Sequence, residues 1–401
     1  MTETGDVDGA LDRILAEGAA RSTALGADHH GLWAALARAT GGGKRFRPGL
    51  MVSTYGALAA GAAGDAAGAD PVTSTAVARV GAALELLHTA FVVHDDVIDG
   101  DTVRRGSPNV SGTFAASARQ RGTEPAASRH YGEAAGILAG DLALVSALRT
   151  VAASGVPAPV VADLFDLIED TVHATAAGEL ADVRLGLDRT SAPGDAGGAV
   201  QEAVRVAELK TAVYSFQLPL QAGALLAGAP RRITEALEPI GRNLGIGFQL
   251  LDDLLGVFGL PARTGKSVLT DLREGKHTAL VAHARTTAAW PALRPLVGDP
   301  HLTEHDAGRV RDLLEGCGAR SATEELAQSH LDKALALASE QPVPPALAGV
   351  LTGLAEEISR TTETCLAPSR HPPHQDPAPT PEPASEPTPP RRLPAGAGVA
   401  R

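Results

Sequence analysis

Residues 94–106, HDDVIDGDTVRRG, gather Asp95, Asp96, Asp99 and Asp101 and follow them with Arg104 and Arg105. Most of the preceding stretch, 81–93, is apolar. Carboxylates clustered at the end of an apolar helix repel one another and are costly to desolvate unless a cation sits among them. Asp95 and Asp99 are four residues apart, about 40° around a helix axis, so their carboxylates share a face and Asp96 sits beside them. His88, two turns back, falls on nearly the same face. An all-oxygen site of this kind suits Mg²⁺, which takes few carboxylates and completes its shell with water and phosphate oxygens.

The pattern recurs. GFQLLDDLLGVFG, 247–259, carries a second apolar helix into Asp252 and Asp253. Two such helices facing each other across a bundle can bind two or more metals between them, a clamp suited to a diphosphate. The basic residues fit the same picture. GGGKRFRPG, 41–49, sets Lys44 and Arg47 on a glycine-rich turn entering a helix, a natural place to receive an anion. Lys210 and Thr211 lie in an apolar context where a lone lysine is costly without an anionic partner, and Lys266 and Lys276 flank the loop after the second cluster. Together they describe a site for two diphosphates, one held by metal and one by arginine and lysine.

The elements that must position these residues are helical. Strand signals are nearly absent, and the helical period predicts helices over about 6–24, 31–40, 48–65, 72–99, 131–153, 158–186, 198–228, 231–257, 277–289, 303–316, 320–339 and 345–364. Breakers fall at the glycines 41–43, at 106–108, at Pro157, at Pro193-Gly194 and over 261–265. The polar stretch 107–129 reads as a long surface loop. The chain is therefore expected to be all-α, one large helical bundle around a central cavity. Residues 1–30 read as a helical N-terminal extension, 31–364 as the main domain, and 365–401, with a proline at every second or third position, as a disordered tail. The tail reads as a spacer, with docking of an unknown partner as the sharper alternative.

A formal charge of −12, with basic residues recurring in short clusters such as 44–47 and 104–105, argues against a nucleic-acid partner. Cys317 and Cys365 are far apart, without metal-ligand spacing, and suit a reducing cytosol. The start, MTETGDVDGA, is no secretory signal, and the uncharged run 211–230 is interrupted by Ser215, Gln217, Pro219 and Gln221. A soluble, cytoplasmic protein without stable membrane insertion is the expectation.

These residues resemble the trans-polyprenyl diphosphate synthases, over about 30–360. GGKRFRP is similar to the family's GGKRxRP loop, and HDDVID to its first aspartate-rich motif; Gly140-Asp141 and Gly178-Glu179 with Asp182 match further landmarks. The resemblance implies the isoprenoid synthase-like bundle, usually a homodimer, with isopentenyl diphosphate and allylic diphosphates as substrates. It implies Asp95, Asp99 and Asp252 as ligands of Mg²⁺, three ions per site, with Asp96 in the first motif. It implies Lys44, Arg47, His88 and Arg105 at isopentenyl diphosphate, Arg104 at the allylic diphosphate, and Lys210, Thr211, Gln249, Lys266 and Lys276 on the allylic side. In that chemistry pyrophosphate leaves the allylic substrate, the double bond of isopentenyl diphosphate attacks the cation, and released pyrophosphate takes the proton. Lys210 and Lys266 add positive charge, and the Gln249 amide oxygen faces the cation.

In this family bulk at the positions of Ala90 and Phe91 sets product length. Phe91 lies one turn before Asp95 on about the same face and can floor the cavity; one small and one aromatic residue imply a C20 product, geranylgeranyl diphosphate, with C15 and C25 or longer left open. The second motif departs from DDxxD, since Gly256 replaces its last aspartate. That departure keeps open a non-catalytic subunit of a heteromeric synthase. A terpene cyclase, the rival enzyme class, needs no second diphosphate site.

Overall fold

The computed structural model describes residues 4–62, 72–187, 196–260, 263 and 269–366. Lys266, the Pro193-Gly194 breaker and the tail from 367 lie outside them. The chain is all-α. In order, α1 (Thr4–Thr23), α2 (Ala27–Thr40), α3 (Phe46–Ala62) and α4 (Ser74–Ile98) lead to a hairpin of two-residue strands, β1 (Val103–Arg104) and β2 (Ser107–Pro108). Then come α5 (Val110–Gln120), α6 (Pro125–Ala152), α7 (Ala158–Leu187) and α8 (Ala196–Ala207). A π-helix (Glu208–Gln217) joins α8 to α9 (Leu218–Leu226), and α10 (Arg231–Phe258) follows. Shorter helices α11 (Leu269–Glu274), α12 (Ala279–Ala284) and α13 (Trp290–Leu293) precede α14 (Glu304–Gly316), α15 (Ala319–Glu340) and α16 (Pro345–Cys365).

Helix α4 is the central stave. Thr73 caps its start by accepting a hydrogen bond from Ala76 N–H. Its apolar residues point to more than one neighbour, with Leu86 and Leu87 packed toward α1, α3 and α9 and Ala90 and Val93 toward α2 and α6. Burying each leucine contributes about 1.5–3 kcal/mol relative to exposure. The helix ends where Gly100 takes a positive φ of 73°, delivering the first aspartates to the rim. α10 does the same for the second pair, and it runs on through Gly256 to Phe258.

Two sequence expectations are corrected. The stretch 107–129 is no open loop: Asn109 caps α5, and Val110, Ala115 and Ala118 are buried. Its apolar face is built mostly of Ala, Gly and Ser, too weak in hydropathy to stand out. The predicted single helix 198–228 is three segments, because ten residues wind as a π-helix in the middle, a form commonest at functional sites. This wider turn lies between two glycines that let it approach. A Cβ at Gly178 on α7 would sit 2.6 Å from Lys210 N, and one at Gly245 on α10 would sit 2.4 Å from the Ala212 Cβ.

By length and composition α4 and α6 could cross a membrane, but 78% and 44% of their most apolar windows are buried within the protein. The uncovered part of α6 shows Ile137, Leu138 and Val145, each about half exposed or more.

Candidate active site

One cavity of about 310 Å³ opens between α4, α7, α8, the π-helix and α10. Asp95, Asp99, Arg104, Lys210, Thr211, Gln249, Asp252 and Lys276 all line it, so the two acidic clusters do face a common space. His88, Phe91 and Tyr214 line it as well.

On the α4 side, ligand oxygens of Asp95, Asp99 and Glu179 lie within 4.8 Å of one another. Glu179 comes from α7 and was marked in the sequence only as a family landmark; its approach depends on the tight α7–π-helix contact, which no spacing rule reveals. Burial, and then the surrounding carboxylates, raise the pKa of Asp99, while at Glu179 burial raises it against the pull of Lys210. Lys210 is the tethered counter-charge: its Nζ lies 3.1 Å from Asp95, 3.0 Å from Glu179 and 2.8 Å from Asp182. Burial disfavours its charge, but three carboxylates outweigh that and push its pKa well up.

Asp96 faces elsewhere than its neighbours. It is buried and accepts from Arg104 Nε at 2.7 Å, while Arg104 Nη2 reaches Asp95 at 3.2 Å. Burial lifts the Asp96 pKa to about 6 despite that arginine. Asp96 thus anchors Arg104 rather than joining the metal-facing group. Arg104 stands on the hairpin, whose turn residues Arg105 and Gly106 both have positive φ, 53° and 75°, as a type I′ turn requires.

Across the cavity, Gln249 Oε1 accepts from the Thr211 hydroxyl at 2.8 Å and its Nε2 donates to Asp253 at 2.7 Å. The amide oxygen expected to face a cation is therefore already engaged, and Gln249 ties the π-helix to the second acidic pair. Lys276 lies 3.1 Å from Glu274.

From the basic loop, Arg47 reaches the π-helix. Arg47 donates to Tyr214 Oη at 3.0 Å and Ser215 Oγ at 2.7 Å, with its guanidinium carbon 4.5 Å from the Tyr214 ring centroid. Arg47 Nε and His88 Nδ1 are buried without a hydrogen-bond partner among the described residues. Burial first, then Arg47, lowers the His88 pKa well below its ordinary value, so the ring is neutral. Lys44 is exposed, and the Arg105 guanidinium lies beside Gly42 and Gly43, where a Cβ would be 3.5 Å away. Tyr214, unmarked in the sequence, is a shared contact here. Its ring stacks on His88 at 5.9 Å and meets Phe91 edge-on at 5.2 Å. Phe91 thus lines the cavity in contact with Tyr214. Ala90, expected from the resemblance to border the cavity, is instead 1% exposed among Trp33, Leu36 and Ala139 between α2 and α6.

The polyprenyl synthetase family model matches residues 32–310. A (2E,6E)-farnesyl diphosphate synthase of Mycobacterium tuberculosis is 33% identical over 324 residues, 79% of each chain. A geranylgeranyl diphosphate synthase of Sulfolobus acidocaldarius is 34% identical over 295 residues, 73% of each. Among solved structures, the geranylgeranyl pyrophosphate synthase of Corynebacterium glutamicum, complexed with isoprenyl diphosphate and magnesium, superposes with a TM-score of 0.79 at 30% identity, covering 90% of this chain and 98% of that one.

Proposed function

The chain belongs to the polyprenyl synthetase family and is a trans-prenyl diphosphate synthase, and from that premise we propose that it makes the C20 product, geranylgeranyl diphosphate. The observation that carries the length is the Phe91–Tyr214 ring pair, which lines the same cavity one helical turn before Asp95. Relatives named as farnesyl, geranylgeranyl and octaprenyl diphosphate synthases are 33%, 34% and 30% identical to this chain, so length rests on this floor and not on family membership.

The proposed substrates are isopentenyl diphosphate and an allylic diphosphate. Asp95, Asp99 and Glu179, oxygen ligands within reach of one ion, fit Mg²⁺, and Asp252 faces them from α10; the proposed complement is three ions. Bound magnesium would supply positive charge that favours loss of pyrophosphate from the allylic substrate. The chain's own residues do the rest. Lys210 keeps a fixed positive charge at the acidic mouth, and Arg104, held by Asp96, adds a second. Lys44, Arg47 and Arg105 hold isopentenyl diphosphate so that its double bond meets the allylic carbon. The unpartnered Arg47 Nε and His88 Nδ1 support a polar ligand there, and neutral His88 gives one hydrogen bond without adding charge. Lys266 and Lys276 are assigned to the allylic diphosphate. The half-exposed aliphatic face of α6 supports a homodimer.

The test is incubation of the purified chain with Mg²⁺, isopentenyl diphosphate and C5, C10 or C15 starters, with products identified by mass. A dominant C20 product is expected. Another length keeps the enzyme and removes the floor argument, and no elongation at any Mg²⁺ concentration favours a non-catalytic subunit and makes Gly256 decisive.

A further inference from the structure

Among the described residues, Arg45 and Arg105 are the two non-glycine residues with left-handed backbone, at φ 50° and 53°. They meet across one loop, 41–45. A bulky residue keeps this conformation only where its surroundings over-determine it. At Arg45 they do. Its Nε donates to Asp8 Oδ1 at 2.8 Å, and its Nη1 to Glu85 Oε1 at 2.8 Å and to the Thr40 carbonyl at 2.9 Å. Glu85 is buried on α4, three residues before His88, while Asp8 stands half exposed on α1. One guanidinium thereby joins α1, the end of α2 and α4. Lys44 precedes it, Arg47 follows it to Tyr214 and Ser215, and Arg105 rests on the loop backbone at Gly42 and Gly43.

We propose that Arg45, with Glu85 and Asp8, is a positioning clamp for the isopentenyl diphosphate subsite. It fixes loop 41–47 so that Lys44, Arg47 and Arg105 converge on a single diphosphate. It also makes α1, which precedes the 32–310 stretch matched by the family, a working part of that subsite. The proposal rests on the assignment of those three residues given above. None of the clamp residues touches substrate; they act through the loop.

The experiment measures KM for isopentenyl diphosphate and for the allylic substrate separately, on the full chain. Arg45→Met removes every donor and should raise the isopentenyl KM by about tenfold or more, since displacements near 1 Å cost up to about a hundredfold. The allylic KM should stay within about twofold, because that subsite is built from other residues. Arg45→Lys, which keeps the charge and one contact, should recover part of the loss. Should Arg45→Met not fold, Asp8→Asn, on an exposed residue, reads the same split with an expected rise of about two- to fivefold, as for loss of one half-exposed pair. Equal changes in both KM values, or activity lost only in proportion to folded protein by circular dichroism, overturn the clamp. If wild type elongates and Arg47→Ala raises the isopentenyl KM while Arg45→Met does not, the clamp alone fails. A wild type that elongates nothing overturns the function and the clamp together.

Discussion

Replacing Phe91 by alanine should lengthen the product. Phe91 lies four residues before Asp95, hence about 6 Å down the α4 axis from the acidic mouth. Its ring meets Tyr214 edge-on at 5.2 Å, and in the proposed reading this pair is the floor of the cavity. Each further isoprene unit carries five carbons, and at about 0.8 kcal/mol per buried carbon an apolar pocket for it contributes about 4 kcal/mol. That corresponds to a factor of about a thousand between holding the longer chain and refusing it. With the ring present the gain is unavailable, because the unit would overlap the phenyl group. The stability cost is smaller than for a core phenylalanine, about 2 kcal/mol, since Phe91 is only partly buried, and about 1 kcal/mol of that is the ring pair with Tyr214. The assay feeds C15 starter and isopentenyl diphosphate to both proteins and compares product masses, with circular dichroism to verify folding. C25 or longer chains should become the main product of Phe91→Ala. A folded variant with the wild-type product distribution would refute the floor.

Gly256→Asp restores a carboxylate on α10 beyond Asp252 and Asp253, and should lower the Mg²⁺ concentration for half-maximal activity; an unchanged or higher requirement counts against a metal role for that position. Gly178→Ala places a methyl 2.6 Å from Lys210 N, so it should cost about 1–3 kcal/mol in urea unfolding and reduce turnover by displacing Lys210. His88 is neutral in the fold because burial lowers its pKa. Unfolded, it takes a proton below about pH 6.5, so it favours the unfolded state increasingly as pH falls from there, by up to about 1.4 kcal/mol per pH unit. His88→Asn should flatten the stability-versus-pH curve between pH 6.5 and 5, and an unaltered slope would show that His88 titrates normally.

The long helices were legible because their period is regular: 72–99, 158–186 and 231–257 correspond to α4, α7 and α10 within two residues at each end. Asp95, Asp99 and Asp252 were legible because carboxylates at a helix end are locally expensive, and Arg104 because it follows them. What stayed hidden depends on contacts between distant segments. Glu179, 31 residues before Lys210, reaches the first aspartates through the close approach at Gly178. Arg45 looked like one more cation in a basic loop until Asp8 and Glu85 closed on it. Tyr214 sits in a π-helix, whose side-chain period a 3.6-residue wheel misplaces. Asp96 was assigned with its neighbours by spacing, although burial turns it to Arg104.

The π-helix also sets what kinds of sequence change this enzyme can absorb. Lys210, Thr211, Tyr214 and Ser215 all make their contacts from that one segment, and its two flanking glycines fix where it lies. Point substitutions there alter one contact each. Insertion or deletion of a single residue at its start would swing everything downstream around the helix axis, turning counter-charge, amide anchor and floor away from the cavity together. The segment is therefore open to residue-by-residue drift but closed to length variation, and product range can diversify along its side chains while its residue count stays locked.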